Sequence, residues 1–384
     1  MTRERIDIVV PDTVLAQNDE KQARLQKTHG FEATDRVPVL ARVCQWVELA
    51  ARGRTPADYL RGPVDNLREQ ILNFQWHVEN VRDDLPIPSS ISVAPDLGCL
   101  RATEFPMLIT WSATQPPKCD HPLKSPEQID ALSVPAPDGG LNARLIGWYR
   151  AMQSAVSDFD VRLNGESIPV NVQIGQPGGP IPSAFALAGS NLFLWMASDP
   201  DRAHRLLDIC TLSHLQCIRF FDKMTGRPLE HPVAMGADAA EMLSPGYFRE
   251  FVVPYYERVW DAYPGWRGLH MCGKIDHLLE ILRDELRIDS LDGFGFPVDP
   301  ECLAEAMAGR VRLSGGPHPT LIQTGPPDAI VDECQRYIRV LGRRGGFTLE
   351  PGGGAAVGTP IAHLEAMVEA SRRMGKVAGP GGAQ

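Results

Sequence analysis

The eight cysteines of this chain, at Cys44, Cys99, Cys119, Cys210, Cys217, Cys272, Cys302 and Cys334, never form a C-x-x-C pair. Scattered thiols in a chain of 384 residues read as reduced side chains rather than as a disulfide framework. No apolar run reaches the ~20 residues that a bilayer span needs. The opening "MTRERIDIVVPDTVLAQ" also lacks the apolar centre of a signal peptide, so a cytoplasmic location is expected. Lys and Arg do not cluster, and 38 of them against 48 Asp and Glu leave a net charge of −10. That balance argues against a nucleic-acid or anionic-membrane partner, since such binding needs clustered cations. No glycine-rich dinucleotide fingerprint follows an early strand, which argues against NAD. No internal repeat is visible.

What is present is ample core material, 43% hydrophobic residues, in short apolar runs that alternate with amphipathic ones. This is the pattern of an α/β fold. Strand candidates are "VPVLARV" (37–43), "ISVA" (91–94), "IPVNVQIG" (168–175), "HPVAMGAD" (231–238), "GLHMCG" (268–273), "IDSLDG" (288–293), "VRLSGG" (311–316) and "GGFTLEPG" (345–352). Their number is that of a (β/α)8 barrel. Helix-start signals lie between them: Asp199-Pro200, Ser244-Pro245 and Thr359-Pro360, each a capping residue followed by a proline that fits the first turn. Gly226 closes the first of these helices, and Pro254 should kink or split the second. The expected organisation is an N-terminal helical extension over 1–30, one barrel domain over 31–375 and a disordered tail over 376–384. The Pro-, Asp- and Ser-rich stretch 76–145 reads as a long insertion that shapes a pocket mouth.

In a barrel, the loops after the strands build the site. Four polar positions fall there: Asp238, the His270/Cys272 pair, Asp292 and Glu350. Asp238 and Asp292 read equally well as caps of the helices that follow. His270 and Cys272, two apart, share one face of an extended strand, and imidazole and thiolate both suit zinc. Two ligands do not hold zinc, however, because a catalytic site uses three protein ligands and an open position. Taken alone, the pair reads more readily as two buried strand-end side chains than as ligands.

Six segments, in order, resemble the uroporphyrinogen decarboxylase-like superfamily. They are "FEATDRVPVL", "GQPGGPIPSAFALAGSNLFLWMASDPDRAHRLLD", "GADAAEMLSPGYFREFVVPYYERVWD", "HMCGKIDHLLEIL", "VRLSGGPHPTLIQTGPPDAIVDE" and "GGFTLEPGGGAAVGTPIAHLEAMVEA". The resemblance runs over roughly residues 25 to 375 and implies a single distorted TIM barrel. Porphyrinogen decarboxylases carry an N-terminal Arg-Gln-Ala-Gly-Arg motif for the substrate carboxylates, and "KTHGFEATDRVPV" is nothing like it. The chain is more similar to the corrinoid-linked methyltransferase branch. That branch binds zinc through His-x-Cys and a distant Cys in a Pro-Gly-Cys-Gly turn. His270 and Cys272 match the first two ligands, and Gly353 stands where the third is expected.

The resemblance therefore implies a methyltransferase or demethylase. It would move a methyl group between a small methoxy, methylamine or methylthio compound and a corrinoid, carried by a partner protein or as free cobalamin. Zinc would act as Lewis acid on His270 and Cys272, with Glu350 or His318 in place of the absent cysteine. Asp238 or Glu350 would serve as acid, base or ligand. Cys302 and Cys334 lie in stretches that read as outer helices. The alternative is a metal-free, decarboxylase-like lyase, or a non-catalytic barrel that binds a small ligand.

Overall fold

The structure is a computed structural model and describes residues 3–98, 101–228 and 231–377. Its centre is a five-stranded parallel sheet of Ala234–Gly236, Gly268–His270, Ser290–Phe294, Arg312–Gly315 and Phe347–Leu349, in that order. Four fall inside sequence candidates, and Ser290–Phe294 runs one residue past its candidate, 288–293. Helical segments connect them, as parallel pairing requires. Two register rows organise the sheet. Met235, Leu269, Leu291, Leu313 and Phe347 align across the strands, and all are 2% exposed or less. One residue further on, Gly236, His270, Asp292, Ser314 and Thr348 align. Because side chains alternate along a strand, the second row faces the opposite side of the sheet. The fold thereby sets His270, Asp292 and Ser314 beside one another.

The helices obey their end signals. Asp199 accepts a hydrogen bond from the Arg202 N–H at the start of Pro200–Thr225, and Gly226 ends that helix with φ 69°. Pro254 splits the next helical stretch into Pro245–Phe251 and Val253–Ala262. The last helix, Ile361–Met374, buries Leu364, Met367 and Val368.

Among the described residues, the strands do not close into the expected eight-stranded barrel. The 37–43 stretch makes only isolated parallel bridges, Val39 to Leu349 and Val43 to Ala355. The reason lies in its backbone donors. The Val39 N–H donates to the Asp84 carboxylate at 2.8 Å and the Ala41 N–H to that of Asp83 at 2.9 Å, while Pro38 has no N–H to give. Two carboxylates thus occupy the edge that a second barrel strand would use. Ile91–Val93 and Val170–Val172 pair with each other in a separate two-stranded sheet. At the opposite edge of the central sheet, Gly236 N–H donates to the Gly178 carbonyl at 2.8 Å.

The N-terminal segment also differs from the expected helical extension. It opens with the strand Glu4–Ile8, paired in parallel with Phe159–Leu163, which pairs antiparallel with Glu166–Ser167. Ile6, Ile8 and Val10 are buried while Arg5 and Asp7 are not, a period-two alternation that marks a strand. A helix, Asn18–His29, follows. These strands pack a second core with Leu67, Ile71 and Met152. At the other end, Val377 pairs with Thr34 through two backbone hydrogen bonds, and residues 378–384 of the expected tail lie outside the described residues. Among the described residues no single helix is long and apolar enough to cross a membrane.

Asp84 ties these layers together. Its carboxylate is 1% exposed and accepts from Arg24, Arg36 and the Val39 N–H. Removing one partner of such a group leaves buried charge uncompensated, so Asp84→Asn is expected to cost ~3 kcal/mol or more. A urea unfolding curve checks this as a lower midpoint with an unchanged slope.

Candidate metal centre

The site is assembled where the second register row meets the loops after the strands. Among the described residues, Asp238, His270 and Cys272 each offer a ligand atom, and the three atoms lie within 4.8 Å of one another. Asp238 opens the short turn after Ala234–Gly236, and its Oδ1 accepts the Cys272 N–H at 3.0 Å. His270 ends its strand. Its Nδ1 bonds Asp292 Oδ2 at 3.0 Å, and its Nε2 lies 3.5 Å from Asp238 Oδ1. With Nδ1–H held by a carboxylate, Nε2 is the nitrogen turned toward the other two donors, the arrangement by which proteins orient a metal-binding histidine.

Two glycines make this geometry possible. Gly293 has φ 82°, and a Cβ there would overlap the His270 ring. At Gly273 a Cβ would run into the Glu241 carboxylate, which accepts the Lys274 N–H. A side chain at Gly273 would have to displace the Glu241 carboxylate from the Lys274 N–H.

The electrostatics favour a cation at Nε2. Burial alone pulls the His270 pKa down. The hydrogen bonds to Asp292 and Cys272 and the charges of Asp292 and Asp238 outweigh it and lift the pKa to about 10. Burial pushes Asp292 up, but its bonds to His270 and Arg42 hold it below the usual carboxylate range. The negative field that retains a proton on His270 also attracts a metal ion. The donor set of carboxylate, imidazole and thiolate suits zinc, and the thiolate is the form of Cys272 that would bind.

Glu350 is placed elsewhere. It is 3% exposed, its Oε1 accepts from Ser314 Oγ at 2.5 Å, and its Oε2 lies 3.1 Å from Arg42 Nε. Burial raises its pKa, against the pull of Arg42 and Ser314. Both oxygens being engaged, Glu350 is outside the three-donor group. It joins the site only through Arg42, whose Nη1 reaches Asp292 Oδ2 at 2.8 Å. His318 accepts the Thr320 N–H and stacks on Phe296, so it too stands apart. Cys302 and Cys334 do lie on helices, Pro300–Met307 and Pro327–Leu341. Gly353 is where the resemblance puts it: a Cβ there would sit 3.9 Å from Cys272 Cβ, within reach of a shared ion.

Arg42 was not anticipated. The available signal was a lone charge at the end of the otherwise apolar "VPVLARV". For Glu350→Gln, metal is expected to be retained with at most ~10-fold weaker binding, since the change acts through Arg42 and Asp292. Zinc competition against a chromophoric chelator measures it.

The centre opens on a cavity of about 820 Å³. Gly178, Phe185, Met235 and Met242 line one part of it. Arg101, Pro117, Cys119 and His121, from the 76–145 stretch, line another. Asp238, Glu241 and Asp292 supply three carboxylates to the wall.

The three-donor cluster lies after the strand ends of a parallel α/β sheet, where folds of this kind carry their small-molecule sites. Residues 83–374 match the uroporphyrinogen decarboxylase (URO-D) family model, and the chain belongs to that family. It is 28% identical over 275 residues to a uroporphyrinogen decarboxylase of Anaeromyxobacter dehalogenans, covering 67% of this chain and 71% of that one. To that of Burkholderia pseudomallei it is 24% identical over 286 residues, covering 69% and 72%. A solved methyltransferase from Methanosarcina mazei shares the fold, with a TM-score of 0.64 at 19% identity over 92% of this chain and 98% of the other.

Proposed function

We propose that this chain moves a methyl group between a small methylated compound and a corrinoid supplied by a partner, using a zinc ion held by Asp238, His270 and Cys272. The observation that carries the reading is the convergence of those three donors within 4.8 Å at the edge of a large cavity. Asp238 takes the place that the sequence left open at Gly353. The similarity of fold to a methyltransferase supports the same reading, as does family membership, which also favours regarding the sheet as part of a distorted barrel.

When bound, the zinc supplies Lewis acidity that polarises the heteroatom of the methyl donor. The remaining work falls to side chains. Asp292 keeps the His270 proton on Nδ1, and Arg42 holds Asp292 in place. Pro117, Pro177, Pro182 and Phe185 give the cavity an apolar part for the body of the methyl donor. Met242, Phe296 and Val357 are exposed apolar side chains on loops after three strands of the sheet, which suits the docking of a corrinoid-bearing partner.

Decarboxylation of uroporphyrinogen fits less well. Eight acetate and propionate groups need cations, and the described residues lining the cavity offer three carboxylates against one arginine, Arg101. A decarboxylase-like lyase acting on another substrate is the second reading, favoured by the names of the curated relatives. The test mixes the zinc-loaded protein with reduced corrinoid and methoxy, methylamine or methylthio donors. The proposal expects the cobalt spectrum to change with one donor class. No change with any class contradicts it.

A further inference from the structure

Of the three carboxylates in the wall of the cavity, two have their charge balanced once zinc is bound. Asp238 and the Cys272 thiolate together match the two charges of the ion. Asp292 is bonded to His270 and to Arg42. Glu241 is the third. Its Oε2 accepts the Lys274 N–H at 2.5 Å, and no ion pair joins it to a described residue. Its Oε1 bonds to no described residue and keeps accessible surface. The arginine of the cavity, Arg101, lies along Gly178 and not on Glu241.

Glu241 also has a fixed place. It belongs to the short turn Asp238–Met242, and its carboxylate stands over Gly273, where a Cβ would overlap it. Gly273 follows Cys272, and neighbouring Cα atoms are only ~3.8 Å apart. A small molecule on the zinc therefore has this carboxylate for a neighbour.

The chemistry of that molecule follows. An anion beside Glu241 meets like charge. An ammonium meets its complement and can donate to Oε1, and hydrogen bonds between charged groups are roughly twice as strong as neutral ones. The ammonium is not the methylated nitrogen itself. A Lewis acid polarises a heteroatom through a lone pair, and a protonated amine has none to give.

We propose that the methyl donor is an ether or thioether that carries an ammonium group a few bonds from the methylated atom, and that Glu241 binds that ammonium. The inference rests on the zinc-centred reading above. Three probes of similar size and different charge test it: 2-methoxyethylammonium, 2-methoxyethanol and methoxyacetate, together with their methylthio counterparts. Each is titrated into the zinc-loaded full chain without corrinoid, and binding is read by ligand-observed NMR. In one series or both, the ammonium compound is expected to bind at least ~10-fold tighter than the alcohol, about 1.4 kcal/mol, and the carboxylate weakest. In Glu241→Gln, which keeps the shape and an acceptor for the Lys274 N–H, the gap between ammonium and alcohol should fall to ~2-fold or less. The ranking in the parent is itself decisive and needs no variant. Alcohol or carboxylate binding as tightly as the ammonium compound in both series overturns the proposal. So do an unchanged gap in folded Glu241→Gln and the absence of saturable binding by any probe. The two readings fail separately. The expected ranking with a cobalt spectrum that no donor changes would refute methyl transfer and keep the ammonium site. A cobalt response to neutral donors without any preference for ammonium would keep methyl transfer and overturn this inference.

Discussion

Cys272→Ala is expected to weaken zinc binding by at least ~100-fold, about 2.7 kcal/mol, while the protein keeps its fold. The size of the effect follows from the donor count. Three side chains converge, and removing the thiolate leaves only imidazole and carboxylate, too few for a stable zinc site. The fold should survive because Cys272 is exposed and follows the strand Gly268–His270 instead of packing in the core. Its side chain is outside the buried row that Leu269 belongs to, and exposed substitutions away from caps and networks usually stay within ~0.5 kcal/mol. Chelator competition gives the affinity, and a thermal unfolding curve of the metal-free protein gives the control. An alanine variant that binds zinc as tightly as the parent would remove Cys272 from the centre.

Asp292→Asn is expected to lower zinc affinity by ~10–100-fold although Asp292 is not itself one of the three donors. Two connections give it this leverage. It accepts the Nδ1–H of His270, which sets the ring so that Nε2 faces Asp238 and Cys272. It also takes one arm of Arg42, whose other arm goes to Glu350. An amide keeps the shape and the acceptor oxygen but loses the charge, so the loss reads the electrostatic part of the support. Arg42→Gln should move affinity in the same direction by a smaller amount. If both variants bind zinc as the parent does, the chain from Glu350 to His270 has no part in holding the metal.

The sequence made the strand positions of the central sheet legible because short apolar runs there end at glycines or polar residues. Closure was another matter. It depends on what the Val39 and Ala41 N–H groups bond to, and their partners are the side chains of Asp84 and Asp83, which no periodicity in 37–43 reports. The N-terminal strand was legible in the alternation of "ERIDI" but was outweighed by the polar run after it.

In the site, the His270/Cys272 spacing carries the reading, with Glu350 or His318 expected in place of the absent cysteine and Asp238 or Glu350 as acid, base or ligand. Register separates them. Gly236, His270 and Asp292 align, so the residue two after Gly236 arrives beside Cys272. The Glu350 carboxylate turns instead to Ser314, which aligns with Asp292 in the same row. Pairing between distant strands decides which side chains converge.

The metal content of the chain, purified without chelators and again after addition of zinc, tests the central claim most directly. The account expects about one zinc per chain, as three converging protein ligands require, and its loss in Cys272→Ala. A protein with no stoichiometric metal before or after zinc is added would contradict it. Gly353 would then mark a lost site, and the lyase or ligand-binding reading would take its place.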